Sequence, residues 1–331
     1  MASGKARARL SASVKWFVIL IVVAVILGAA ILVWPQGLDR MAQTGAAVAA
    51  ALKGGFPVTV EDCRGQGVTL DRAPARLVSA APAVTEILFA IGAAGEVVGV
   101  DEWSNYPPEV KQVPSIGPYY PLNIEGILAL KPDLVVAMGE QAEWTAQLEQ
   151  LGVKVFLIDP KSIDDVQATI VSVGQVTGHR REAEHLAESI RQRIEAVARK
   201  VASIPQAGRV RVFYEVYADP LMTVGPQCLI GQMVTAAGGL SISADSDLDY
   251  PTISAEEVIN RDPQVIVFPD VHGTATEGAA DIKSRPGWAS ISAVRDGRIY
   301  PVDPDVFSRA GPRVGDAVET LARLLYPEVF R

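Results

Sequence analysis

The residues with the most chemistry to offer are aromatics that no regular packing pattern requires. Trp103 and Tyr106 lie in DEWSNYPPE, Tyr119 and Tyr120 in IGPYYPLN, and Tyr250 in DLDYPTIS. Each segment is punctuated by Pro, Asn or Asp and reads as a loop. Any one of these rings is as well explained by packing on its own loop. Together, in loops of both halves of the chain, they read as apolar walls for a large flat ligand. Burying about 300 Å² of such surface at roughly 25 cal/mol/Å² supplies on the order of 7 kcal/mol before ordering costs. That suits tight binding without covalent chemistry.

An enzyme needs a nucleophile with its base, a phosphate loop or a metal set. The sequence holds no G-x-S-x-G, no G-x-x-x-x-G-K-[ST] and no G-x-G-x-x-G. His179, His185 and His272 are scattered, and the six-residue spacing of the first two puts them on different helix faces, unlike an i, i+4 ligand pair. No metal site and no resident cofactor are expected. A surface-enzyme reading has Asp101, Glu102 and Asp305 as acid and base but lacks a nucleophile. A wall or adhesion module without a small-molecule ligand is a third class.

The elements that must position these rings begin with the chain as a whole. It has 331 residues, 49% hydrophobic and 21% charged, which excludes disorder, collagen-like repeats and a multi-span membrane protein and leaves room for two domains. Residues 16–34 carry no charge, and at about 1.5 Å rise per residue they match a hydrocarbon core of roughly 30 Å. Lys5, Arg7, Arg9 and Lys15 precede them, so the expectation is a cytoplasmic basic tail at 1–15, a single-pass transmembrane anchor at 16–34 and everything later outside the cytoplasm. A cleaved signal peptide competes, with Ala-rich sequence at 44–52 lying some ten residues beyond the apolar run. The first Cys is Cys63, too far on for lipidation, and residues 35–56 read as a small-residue linker. Past the anchor, 26 basic residues face 38 acidic ones, a balance of −12, which excludes a nucleic-acid partner. Cys63 and Cys228 fit a disulfide or two inert apolar residues equally well.

From Pro57 onward short β-branched runs alternate with helical stretches, which predicts α/β lobes. Strands are expected at 76–80, 97–100, 133–138, 154–158, 209–216, 221–224 and 265–269, and helices at 85–91, 123–130, 140–151 and 314–325. Residues 179–203 contain neither Gly nor Pro and space Ala183, Leu186, Ile190, Ile194, Val197 and Val201 as one helix face, a rod of about 25 residues and roughly 37 Å. The division is then an N-terminal α/β lobe at 57–178, a single long joining helix at 179–204 and a C-terminal α/β lobe at 205–331. NIEGILALKPDLVVAM at 123–138 and SAEEVINRDPQVIVFP at 254–269 align without gaps at an offset of 131. Each is a capped helix with Glu125 or Glu256 two positions after the cap, then a Pro, then a buried strand, and Ser254 with Glu257 adds a capping-box pattern. Any αβ unit shows part of this; the shared Glu and Pro argue for duplicated lobes with a cleft between them.

These residues resemble the extracytoplasmic binding proteins of ABC importers for vitamin B12 and ferric siderophores, the class with a helical interdomain backbone. The similarity spans about residues 75–325 and is carried by SAAPAVTEILFAIGA (79–93), DEWSNYPPEVKQVPSIG (101–117), NIEGILALKPDLVVA (123–137), DPLMTVG (219–225) and DVFSRAGPR (305–313). The N-Y-P-P and D-x-F-x-R-A-x-P-R patterns look closest to the vitamin B12 receptors. The resemblance implies capture of a corrinoid in the inter-lobe cleft and delivery to an ABC permease and its ATPase, with a ferric siderophore or haem as alternative cargo; Arg309 and Arg313 would favour an anionic siderophore. It implies ligand contacts from Trp103 and Tyr119 in the first lobe, Tyr250 in the second, and polar contacts from Asp305 and Arg309. Met138 and Met222 stand where such receptors can have aromatics, and a polarizable thioether can line the same wall. Glu125 and Glu256 match two lobe-surface carboxylates offered to permease arginines, although a Glu in a first helical turn is also ordinary dipole stabilisation. The long helix should keep hinge motion small.

Overall fold

The computed structural model describes residues 55–118, 121–139, 142–270 and 278–330. The basic tail, the apolar run at 16–34, Tyr119, Tyr120 and His272 lie outside the described residues. Among the described residues no helix is long and apolar enough to cross a membrane.

An antiparallel hairpin of β1 (Val58–Glu61) and β2 (Gly67–Leu70) comes first. The first lobe follows with β3 (Leu77–Ser79), α1 (Pro82–Ala90), β4 (Val97–Val100), α2 (Ile124–Ala129), β5 (Leu134–Met138), α3 (Ala142–Gln150) and β6 (Lys154–Ile158). Its sheet is all parallel, in the order β4-β3-β5-β6. Such strands are covered on both faces, which is why they read as short continuous apolar runs. Then come α4 (Ile163–Thr177) and α5 (Arg180–Val201). The second lobe has β7 (Arg211–Tyr214), a small hairpin of β8 (Tyr217–Ala218) and β9 (Leu221–Met222), α6 (Leu229–Ala236), β10 (Leu240–Ser241), α7 (Ala255–Arg261), β11 (Val265–Pro269), α8 (Ala279–Ser284), α9 (Ser292–Arg295), β12 (Ile299–Val302), α10 (Pro304–Ser308) and α11 (Val314–Leu325). Its main sheet is again all parallel, in the order β10-β7-β11-β12. In both main sheets the first strand lies between the second and third, and the fourth lies outside the third.

The aligned segments occupy the same place in each lobe, α2–β5 in one and α7–β11 in the other. Asn123 caps α2 by accepting from the Gly126 N–H at 2.9 Å, and Ser254 caps α7 by accepting from Glu257 N–H at 3.1 Å. The expected capping box at Ser254 is only half made, because the Glu257 carboxylate takes the Arg261 guanidinium at 2.5 Å. Lys131 and Asp262, also 131 apart and each just before a Pro, adopt left-handed backbone with φ of 46° and 43°. An arginine leading into the first strand closes both helix ends: Arg76 Nε donates to the Leu130 and Lys131 carbonyls at 2.9 and 3.2 Å, and Arg211 Nε to those of Arg261 and Asp262 at 3.2 and 2.9 Å. The duplication thus extends to details of backbone satisfaction.

The rod is α5, 22 residues and about 33 Å long. Ala183, Ile190, Val197 and Val201 of its expected face are buried, with Leu186 and Ile194 packed against the core at its edge. It does not stand alone: α4 and α11 pack against it. The turn from α4 into α5 is so tight that a Cβ on Gly174 would collide with the Ala183 methyl. On another side Arg193 pairs with Asp316 and, at 2.8 Å, with Glu319 of α11. α4 escaped the sequence reading because IDDVQATIVSVGQVT is rich in β-branched residues; a Ser162–Asp165 capping box starts the helix and the left-handed Gly178 ends it. One apolar cluster runs from Leu77 and Val84 of the first lobe through Ile170 and Ile190 to Val212, Met233 and Leu321 of the second. Wide hinge opening would have to tear this shared core. No disulfide joins Cys63 to Cys228; Cys228 is buried, and its thiol donates to the Gly225 carbonyl at 3.3 Å.

Candidate ligand-binding site

The loop after β4 is pinned from below. Asp101 is 1% exposed, and its carboxylate accepts from the Trp103 N–H at 2.9 Å and the Ser104 hydroxyl at 2.5 Å. The chain continues from Ser104 to Thr85 at 2.6 Å and from Thr85 to Ser79 at 2.7 Å, tying the loop to α1 and β3. Burial pushes the Asp101 carboxyl up, and the bonds from Ser104 and Trp103 pull it partly back. Asp101 is thereby an anchor, while the Trp103 ring stands 65% exposed above it. The pinned loop thus holds a large ring in solvent instead of packing it on itself.

The second lobe reaches into that loop. Arg309 Nη1 donates to Glu86 Oε1 at 2.9 Å and to Asn105 Oδ1 at 2.8 Å, while Nη2 donates to the Trp103 carbonyl at 3.2 Å and pairs with Asp305 at 2.8 Å. Asn105 Nδ2 in turn donates to Asp305 at 2.9 Å. Arg313 forks onto Glu86 at 2.8 and 2.6 Å, with its guanidinium 4.3 Å from the centre of the Tyr106 ring. Trp103, Asp305 and Arg309 therefore meet in one network. Glu86 and Asn105 were missed by sequence reasoning. The signal for Glu86 was the lone charge in PAVTEILFA: a carboxylate inside an apolar helix needs a partner, and here it has two arginines.

The remaining expected contacts divide between the lobes. Met138 ends β5, half-buried against the first-lobe core. Met222 lies in β9, opposite Tyr217 in register and bridged to Thr252, two residues from Tyr250. Tyr250 is 46% exposed, and burial of its hydroxyl beside the Cys228 thiol pushes its pKa above the ordinary value. The buried Tyr214 ring packs 6.1 Å from Phe307, two residues before Arg309. Tyr250 joins no hydrogen bond of the Arg309 network. Tyr217, 57% exposed, is a third missed candidate; only its cross-strand pairing with Met222 marks it. Trp103, Met138, Asp305 and Arg309 all leave the carboxyl ends of parallel strands, where open α/β sheets hold ligands. Glu125 and Glu256 are exposed in the first turns of α2 and α7, and neither enters an ion pair among the described residues. His179 is buried and 3.4 Å from Glu96, whereas His185 is exposed.

A family model described as periplasmic binding protein matches residues 77–306. The chain belongs to that family. It is 34% identical over 284 residues to an uncharacterised ABC transporter substrate-binding lipoprotein of Bacillus subtilis, across 83% of this chain and 88% of the relative. The solved periplasmic vitamin B12 binding protein of Vibrio cholerae is similar at 30% identity and a TM-score of 0.63, over 77% of this chain and 97% of that one. The periplasmic heme-binding protein of Roseiflexus sp. RS-1, in apo form, is similar at 32% identity and a TM-score of 0.68, over 77% and 98%. A periplasmic binding protein captures a substrate outside the cytoplasm and performs no covalent step, so the buried Asp101, the exposed Glu102 and the ion-paired Asp305 are not an acid–base set.

Proposed function

We propose that this periplasmic binding protein is the receptor of an ABC importer, held at the cell membrane by residues 16–34, and that it captures a corrinoid between its lobes for delivery to a permease and its ATPase. The observation that carries the reading is the exposure of Trp103 and Tyr250 on loops of opposite lobes. Rings presented from both sides suit a broad planar macrocycle, with Tyr119, Met138 and Met222 completing the walls and Asp305 and Arg309 the polar edge. Titration of the full chain with cyanocobalamin should give heat and a shift of the visible corrin bands; the absence of both would remove the corrinoid claim. Haem is the second reading, favoured by the likeness to the Roseiflexus heme-binding protein, and haemin competition decides between them. A ferric siderophore loses its main support, since Glu86 and Asp305 together balance the charges of Arg309 and Arg313.

Docking falls to Glu125 and Glu256, matched in the repeat and free of ion pairs among the described residues. Exposed pairs contribute about 0–1 kcal/mol each, so their effect is on register and association rate. Glu125→Ala with Glu256→Ala should leave ligand binding intact and lower uptake in cells; unchanged uptake ends the docking role.

A further inference from the structure

We infer that Glu86 is a positioning residue for the ligand site, acting through Arg309: it draws the Arg309 guanidinium out of the second lobe so that its remaining donors hold the Trp103 loop of the first. The inference rests on the reading of Trp103 as a ligand contact.

The donor inventory makes the case. A guanidinium has five N–H groups, and four of those of Arg309 are engaged, by Glu86, Asn105, the Trp103 carbonyl and Asp305. Its side chain is 11% exposed. An arginine so occupied grips protein more than ligand. Two carboxylates compete for it. Asp305 sits four residues away on the same lobe, while Glu86 belongs to α1 on the other. Without the Glu86 charge, Arg309 is left with Asp305 and with the repulsion of Arg313, which shares the Glu86 carboxylate. Asp305 then draws it back toward its own lobe and away from the Trp103 carbonyl and Asn105, and the Arg313 repulsion weakens its hold on the α1 side. Below, the loop keeps its Asp101 anchor, so the consequence is a loosened aromatic wall rather than a lost loop. The arrangement also makes wall and lobe separation one mechanical unit: a permease that draws the lobes apart withdraws Arg309 and slackens the Trp103 wall in the same motion.

The test compares full-length wild type, Glu86→Gln, Glu215→Gln and Asn105→Ala. Glu215 is a matched control, a buried carboxylate held by Arg285 at 2.7 and 2.8 Å within the second lobe. By hydrogen–deuterium exchange without ligand, Glu86→Gln should speed exchange of residues 101–107 about tenfold beyond any change in β5 and β11. Glu215→Gln should leave 101–107 at the wild-type rate relative to those strands. Asn105→Ala, at an exposed position, should give a smaller acceleration in the same segment. Cyanocobalamin and haemin serve as probes, and whichever wild type binds should bind Glu86→Gln about tenfold more weakly, with Glu215→Gln unchanged. Equal loop exchange in wild type and Glu86→Gln overturns the proposal, as does equal acceleration in Glu215→Gln. If wild type binds neither probe, the cargo reading fails by itself, and the exchange result still decides the role of Glu86.

Discussion

Residues 123–138 and 254–269 build the same αβ unit down to the capping residue, the left-handed position before Pro and the arginine that closes the helix end. The loops around those units share almost none of this. In the first lobe a buried chain of hydroxyls ending at Asp101 holds up one exposed indole. In the second lobe Met222 and Tyr217 face each other in a two-stranded hairpin, and Tyr250 lies beside a buried cysteine. The repeated part answers backbone needs, which are the same in both lobes; the divergent part carries the exposed rings. A duplicated frame therefore does not require a symmetric pocket.

The largest effect should come from the ion pairs that the two regions use differently. Glu86→Ala leaves Arg309 and Arg313 without their shared buried carboxylate, and Glu215→Ala leaves Arg285 alike. Each should cost about 3–5 kcal/mol in chemical denaturation. A loss under about 1 kcal/mol at Glu86 alone would mean that the contact between lobes adds little to the core that already joins them. Next in size is the ligand wall. Trp103→Ala with Tyr250→Ala should weaken binding by about 2 kcal/mol, roughly thirtyfold. If Trp103→Ala carried the whole loss, the second lobe would not be a wall.

Acidity separates the regions with opposite signs. Burial raises Asp101 in the folded chain, so its charged form opposes folding, and stability falls as pH climbs from the ordinary carboxylate value through the raised one. Arg193 lowers Glu319 on α11, so that contribution is present above the ordinary value and is lost as pH falls through the lowered one. In melting curves between about pH 3 and pH 7, Asp101→Asn should remove the decline on the rising side. Its amide still accepts from Trp103 and can donate to Ser104. Glu319→Gln should remove part of the decline on the acid side. The same pH profile in both variants would show that neither carboxylate is set by its surroundings.

Much of the frame was legible because burial on both faces writes itself as apolar runs: strands 97–100, 154–158 and 265–269 and the helix 314–325 lie where the pattern puts them. The sequence pattern failed where tertiary context overrides local preference. β10 has two residues and no pattern of its own, and the β-branched residues of α4 point to strand until its caps are seen. Of the candidate site, the exposed rings were legible and the network that supports the Trp103 loop was not. Trp103 and Tyr250 stand out in Pro- and Asp-rich loops, but that Arg309 crosses to Glu86, 223 positions away, depends on how the lobes pack. No spacing rule encodes such a contact.

The smallest expected effect sharpens the comparison most. Lys131 and Asp262 share left-handed backbone, which costs a non-glycine residue on the order of 1 kcal/mol. Lys131 is exposed at the end of α2 and offers only its carbonyl to Arg76. Lys131→Gly keeps that carbonyl and relieves the strain, so it should stabilise by about 0.5–1 kcal/mol. The Asp262 carboxylate instead accepts from the Ser292 N–H at 2.7 Å and the Ser292 hydroxyl at 2.9 Å, and it pairs with Arg211 at 3.1 Å. Its pKa, held below the ordinary carboxylate value by the Ser292 bonds against the opposing effect of burial, agrees with that use. Asp262→Gly should relieve the same strain and still destabilise by about 1 kcal/mol, because three interactions go with the side chain. Urea denaturation of the two variants reads the difference directly. Equal shifts would mean that the second copy of the turn gained nothing from its aspartate, and that the two units are alike in energy as well as in shape.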